Sequence, residues 1–119
     1  MKIVTRTRKE VYKMWIKALR SGKYKQGRDV LNKSSEFCCL GVVCDLANKD
    51  GGPQWIKYLG DGYGRSFMGQ SGILPDPVRE FLGLTEMAQN YLASLNDNGI
   101  SFKQIADYIE TTIMPTACK

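Results

Sequence analysis

The stretch Ser34–Gly52, SSEFCCLGVVCDLANKDGG, decides the fold. Three of the chain's four cysteines, Cys38, Cys39 and Cys44, fall here beside an almost wholly apolar run. Four explanations compete: a metal site, a nucleophile, a disulfide framework or plain core. Zinc sites repeat closely spaced Cys pairs or combine two Cys with two His. Here the pattern is CC-x4-C, then only Cys118, in a chain without histidine. No metal ligands are assigned, and no cofactor is expected. Adjacent Cys38 and Cys39 are not a redox C-x-x-C either. A disulfide framework needs an oxidising compartment, and nothing signals one. Free thiols rank among the most buried groups, so Cys39 and Cys44 are expected in the core. Because CLGVVCDLAN is apolar on nearly every side, it reads as a buried helix. Gly41 within it costs about 1 kcal/mol against Ala, which points to another element lying close. Asn48 and DGGP end the helix. Cys38 stands at its start, where a helix N-terminus can lower a thiol pKa, but the usual partner base, His, is missing.

Upstream, Thr7–Glu10 (TRKE) fits a capping box. Val11, Met14, Trp15, Ala18 and Leu19 follow at helical spacing, with Lys9, Lys13 and Lys17 on the opposite face. A helix over Arg8–Ser21 is predicted, with Gly22 as its C′ residue. Gly27 then breaks the chain. Arg28–Leu31 and Glu36–Cys38 flank the turn-rich NKSS and predict a short β-hairpin.

Downstream, residues 51–72 hold seven of the twelve glycines, interleaved with Trp55, Tyr58, Tyr63 and Phe67. WIKYL and YGRSFM predict two strands around a tight GDG turn. LPDPVREFLGL predicts a short helix with Asp76 as N-cap, Pro77 at N1 and Gly83 at its end. TEMAQNYLASLNDNG predicts a helix with Met87, Tyr91, Leu92 and Leu95 on one face. Ser101–Gln104 (SFKQ) is a second capping box. Phe102, Ile105, Ala106, Ile109 and Ile113 mark the last helix, which Pro115 should close. The fold class is therefore α+β, one domain over residues 1–119. About five helices should surround the buried Cys39–Ala47 helix, with one or two small antiparallel hairpins.

A chain of 119 residues can bury one core without metals or disulfides. No apolar run approaches the roughly 18 residues of a membrane span. The opening MKIVTRTRKE has no apolar signal region, so a cytoplasmic protein with no membrane partner is expected. Residues 1–33 carry eleven Lys and Arg against two acids, while the remainder carries six against ten. A basic front on an acidic body suits an anionic partner and equally suits a solvated helix face.

The lack of histidine rules out Ser–His–Asp and Cys–His triads. Acid–base chemistry would fall to carboxylates, Lys or Tyr. Asp61 in GDG and Asp97 in NDNG are available, although Asp and Asn form turns for their own reasons. No P-loop or strand-anchored G-x-G-x-x-G occurs. The last two helices are joined like a helix–turn–helix, but Asp107 and Glu110 against Lys103 make a poor groove reader. The richest ligand-binding stretch is RSGKYKQGR. Its Lys23, Lys25 and Arg28 suit phosphate, Tyr24 can stack on a base, and Gln26 can bond a base edge. A solvated connector explains it equally well. With Tyr63 and Arg65 from the glycine-aromatic segment, and Asn96 and Asp97 from NDNG, it outlines a candidate pocket.

The blocks W-x3-L-x2-G-x-Y-x-Q-G (from Trp15), CCLGV-x-C-D-L (from Cys38), L-P-x-x-V (from Leu74) and L-N-D-x-G-x-S-F (from Leu95) resemble a family of small proteins from phages, prophages and bacterial genomes. The resemblance implies a compact accessory protein of viral or mobile-element origin, acting by binding. The expected role is non-catalytic sequestration of an anionic nucleotide-type ligand, plausibly a defence signal, in the host bacterium's cytoplasm. The alternatives are an inhibitor docking an acidic host protein through Lys9, Lys13 and Lys17, a nucleic-acid-binding protein, or a small enzyme using Cys38 or Asp97. The oligomeric state is left open.

Overall fold

The structure, a computed structural model, describes residues 6–57 and 64–119. Its elements are α1 (Arg8–Arg20), β1 (Lys25–Gln26), β2 (Asn32–Lys33), β3 (Glu36–Phe37), α2 (Cys39–Lys49), β4 (Trp55–Lys57), β5 (Arg65–Phe67), α3 (Asp76–Leu82), α4 (Glu86–Asp97), α5 (Phe102–Tyr108), a π-helical turn (Ile109–Ile113) and α6 (Met114–Ala117). The class is α+β, as the periodicities predicted.

The Thr7–Glu10 capping box forms as predicted and starts α1. The helix ends at Arg20, and Gly22 follows with φ +75°. It buries Val11, Tyr12, Trp15, Ile16 and Leu19. The Trp15 indole donates to the Cys39 carbonyl at 2.9 Å, and the Tyr12 hydroxyl donates to the Leu82 carbonyl at 2.7 Å. Two large aromatics are thereby buried with their polar atoms satisfied. Arg8 donates to the carbonyls of Glu80, Phe81 and Ala117, which closes the C-terminal ends of α3 and α6.

Helix α2 is the buried centre that its sequence predicts. Every residue from Cys39 to Asp45 is buried, and so is Ala47. Gly41 faces the Leu31 backbone so closely that a Cβ would overlap the Leu31 carbonyl. The missing side chain is what lets the strand region lie on the helix.

The strands form one mixed sheet in the order β1-β3-β2-β5-β4. The expected separate hairpins are thus joined, and β1 runs parallel to β3 with Lys25 opposite Glu36. The first hairpin pairs Asn32 with Phe37 and begins at Asn32, not Arg28. Asp29 takes positive φ, so the chain turns before Leu31, and Ser34 takes positive φ in the turn between β2 and β3. The Leu31 amide bonds instead to the Ser71 carbonyl. The Asn32 side-chain amide then donates to Ser34 and Glu36 carbonyls and closes the turn. The second hairpin pairs Trp55 with Phe67. Its GDG turn, with Tyr58, Asp61 and Tyr63, lies outside the described residues.

Three expectations for the C-terminal half need correction. Pro75 takes the N-cap position of α3 and Asp76 is its first helical residue, while Gly83 ends the helix in the left-handed region as predicted. In α4, Met87 and Tyr91 are 82% and 48% exposed, and the buried residues are Gln89, Leu92 and Asn96. Two amides replace apolar side chains on the core face because each meets buried backbone groups. The Gln89 carbonyl oxygen, for instance, accepts from the Leu74 amide at 3.0 Å. Pro115 does not close the last helix. It lacks an N–H and crowds the carbonyl four residues back. The chain answers by widening into the π-turn, where the Met114 amide donates to the Ile109 carbonyl, and then continues to Ala117.

Candidate functional site

Among the described residues, several members of the sequence-predicted pocket bond to one another or to the backbone. The Asn96 side chain is fully buried. It donates to the Gly27 carbonyl at 2.8 Å and accepts from the Cys39 amide at 3.1 Å. Gln26 Nε2 donates to Asn96 Oδ1 and to the Ile100 carbonyl, and Gln26 Oε1 accepts from the Phe102 amide. Asp97 accepts from the Asp29 backbone amide at 2.9 Å. Arg28 packs over Gly99, where a Cβ would stand 3.2 Å from its guanidinium. These groups form a bracket that joins β1, α2, α4 and α5.

The other predicted residues that are described lie elsewhere, and Tyr63 falls outside the described residues. Lys25 pairs with Glu36 at 3.4 Å. Arg65 bonds Asn32 and lies 5.0 Å above the centroid of the Trp55 ring. Tyr24 begins an aromatic row, edge-to-face through Phe37 to Trp55 and then tilted to Phe67. Its hydroxyl donates to Asp45 Oδ2 at 2.7 Å, and Trp55 Nε1 donates to Asp45 Oδ1 at 3.0 Å. Lys49 completes the shell around this carboxylate at 3.3 Å and lies over the Tyr24 ring. Burial, then the Asp45 contact, holds the Tyr24 phenol above its ordinary pKa. A buried acid in an apolar helix needs such partners.

Cys38 serves as the N-cap of α2, its sulfur accepting from the Gly41 amide at 3.4 Å. Burial pushes its thiol up to about 11, the reverse of what a nucleophile needs. Cys39 and Cys44 are raised well above the usual thiol value by the same burial. Among the described residues no group of three or more Cys, Asp or Glu could hold a metal ion. No described helix is long and apolar enough to cross a membrane.

The basic face of α1 is exposed. Its arginines are engaged: Arg6, just before the helix, pairs with Asp50, and Arg20 bridges Asp107 at 2.7 Å and Glu110 at 2.9 Å. Lys9, Lys13 and Lys17, with Lys23 beyond the helix, make no ion pair among the described residues. The difference follows from chemistry, since the planar Arg fork suits fixed bidentate contacts and Lys is a mobile, hydrated point charge. Two open hollows flank this end of α1. One, of about 570 Å³, lies towards the π-turn and is lined by Lys13, Ile16, Lys17, Arg20, Ser21, Lys23, Glu110 and Met114. The other, of about 300 Å³, lies towards α2 and is lined by Met14, Lys17, Ala18, Ser21, Lys23, Tyr24, Leu46 and Lys49. Lys17, Ser21 and Lys23 therefore belong to both. The Ser21 hydroxyl donates to the Ala18 carbonyl and accepts from the Lys23 amide, tying Lys23 to the helix end. Of the predicted site residues that are described, only Lys23 and Tyr24 reach these hollows. Lys13 and Lys17 were visible in sequence as a four-residue repeat. Lys49 and Met114 arrive only through tertiary packing.

Residues 7–113 match the sequence model of a family described as a domain of unknown function (DUF8296), and the chain belongs to that family. No curated protein and no solved structure matches it.

Proposed function

We propose that this member of a family of unknown function is a non-catalytic binding protein for an anionic, nucleotide-type small molecule, held where α1 ends. The observation that carries the proposal is the placement of Lys17 and Lys23. Neither makes an ion pair among the described residues, and both line two hollows whose walls are largely aliphatic. Cationic rims suit phosphate, and apolar walls suit the flat face of a base. The hollows fall within or at the edge of the roughly 300–1,000 Å³ typical of small-molecule sites. The raised Cys38 thiol and the structural engagement of Asp97 favour binding over catalysis. The resemblance to phage and prophage proteins supports a host-directed sequestering role, in which holding a nucleotide signal is itself the activity.

Thermal denaturation with a panel of mononucleotides, cyclic nucleotides and ADP-ribose derivatives tests this. A ligand that binds only the native state must raise Tm. At least one panel member should do so for the natural chain. Lys17→Glu with Lys23→Glu should abolish the rise while leaving the unliganded Tm nearly unchanged. A panel without any shift would refute the proposal.

The stripe of Lys9, Lys13 and Lys17, without an ion pair among the described residues, favours a second reading, an acidic protein surface as the partner. Charge reversal at Lys9 separates the two, because Lys9 lines neither hollow. It should weaken a protein partner and leave nucleotide binding intact.

A further inference from the structure

The two hollows are not independent sites, because they meet along a shared cationic ridge. Lys17 and Ser21 lie one helical turn apart, so they stand on the same line along α1. Ile16 lies to one side of that line and Met14 and Ala18 to the other, as the two sets of lining residues show. At Ser21 the helix stops, and Ser21 Oγ holds the Lys23 amide at 3.1 Å. The residues common to both hollows, Lys17, Ser21 and Lys23, fall on the last turn of α1 and just beyond it. Each hollow also has apolar lining, Ile16 and Met114 beside Lys13 and the Arg20–Glu110 pair in the larger, and Met14 and Leu46 beside Lys49 in the smaller.

We infer that the ligand is two-ended: two nucleosides joined through phosphate, with the phosphate on the Lys17–Lys23 ridge and one base in each hollow. The inference rests on the anion-binding function proposed above and narrows it from nucleotides in general to dinucleotides. A mononucleotide fills one hollow and leaves the other empty. Covalent linkage makes seating of the second base intramolecular, which raises affinity without new kinds of contact.

Calorimetric titration with 5′-AMP and with linear and cyclic 3′,5′-diadenylate tests it. One of the two diadenylates should bind about a hundredfold more tightly than AMP. Met114→Trp, which fills the larger hollow, and Met14→Trp, which fills the smaller, should each reduce that affinity to the AMP level. Far-UV circular dichroism checks that both variants fold. Saturation-transfer difference spectra of the natural chain give the same answer without a variant, and both adenines should receive saturation from the protein. If AMP binds as tightly as either diadenylate, or only one adenine is saturated, the two-ended ligand is wrong while the anion site stands. If AMP and both diadenylates fail to bind, and the nucleotide panel gives no thermal shift, both proposals fall together.

Discussion

The side chains of Gln26 and Asn96, seventy residues apart in sequence, hydrogen-bond to each other at 3.0 Å, with Gln26 partly and Asn96 fully buried. Around that bond the chain joins its first strand to the start of α2, the end of α4 and the start of α5. Residues that look like ligand-binding groups in the sequence are here the fastening of the fold.

Asn96→Leu keeps the side chain's bulk and removes its bonding. It leaves the Cys39 N–H and the Gly27 carbonyl, both now paired with Asn96, without partners. Buried orphans of this kind cost about 1–3 kcal/mol each, so urea denaturation should show a loss of about 2 kcal/mol or more. A loss below about 1 kcal/mol would mean that water replaces the amide and that the bracket is not structural.

Gly41→Ala gives a result whose sign decides the matter. Helix propensity alone favours Ala by about 1 kcal/mol. The Cβ would overlap the Leu31 carbonyl, and overpacking of this kind costs about 1–3 kcal/mol or more. The variant should be clearly less stable in the same urea titration. A more stable variant would show that the strand region does not lie against α2 as described.

The thiols should divide one against three. Cys118 is only half-buried, while Cys38, Cys39 and Cys44 are buried. Burial raises all three buried thiols and places Cys38 at about 11. At pH 8 a disulfide reagent should therefore label one cysteine quickly, with the other three reacting only on unfolding. Fast labelling of Cys38 would reopen the case for a nucleophile.

The hydrogen bond from Arg20 holds the Glu110 carboxyl below its ordinary pKa. In the folded chain Glu110 therefore gives up its proton more readily than in the unfolded chain. Its contribution to stability is present above the unfolded glutamate value of about 4.3 and is lost as pH falls towards the folded value. Arg20→Gln should flatten that acid limb, with Tm falling less between about pH 5 and pH 3 than in the natural chain. Identical acid limbs would mean that the exposed ion pair is too screened to count.

Much of the fold was legible because it rests on local rules. Both capping boxes, the Gly22 and Gly83 helix ends, the buried α2 and the Trp55–Phe67 hairpin follow from short-range spacing and turn chemistry. What escaped was non-local. The parallel pairing of β1 with β3 depends on how the chain returns across α2, and no periodicity encodes it. In α4 the hydrophobic pattern favoured Met87 and Tyr91, but Gln89 and Asn96 are buried because distant backbone groups bond to them. The same ambiguity attends the predicted site residues. Gln26, Asn96 and Asp97 are polar and lie in turn-rich segments, which is equally the signature of a binding loop and of an internal bracket. Lys13 and Lys17 were visible as a stripe, but only the structure shows that they border hollows which Lys49 and Met114 complete.

Backbone-amide nuclear magnetic resonance during titration with nucleotides, the linear and cyclic diadenylates included, tests the central claim most directly, since it reads both binding and place. The account predicts saturable shifts grouped at Lys13–Tyr24, Leu46–Lys49 and Glu110–Met114, and their loss in the Lys17→Glu, Lys23→Glu double variant. Shifts centred instead on Gly27–Asp29 and Asn96–Gly99, or no shifts with any nucleotide, would contradict it.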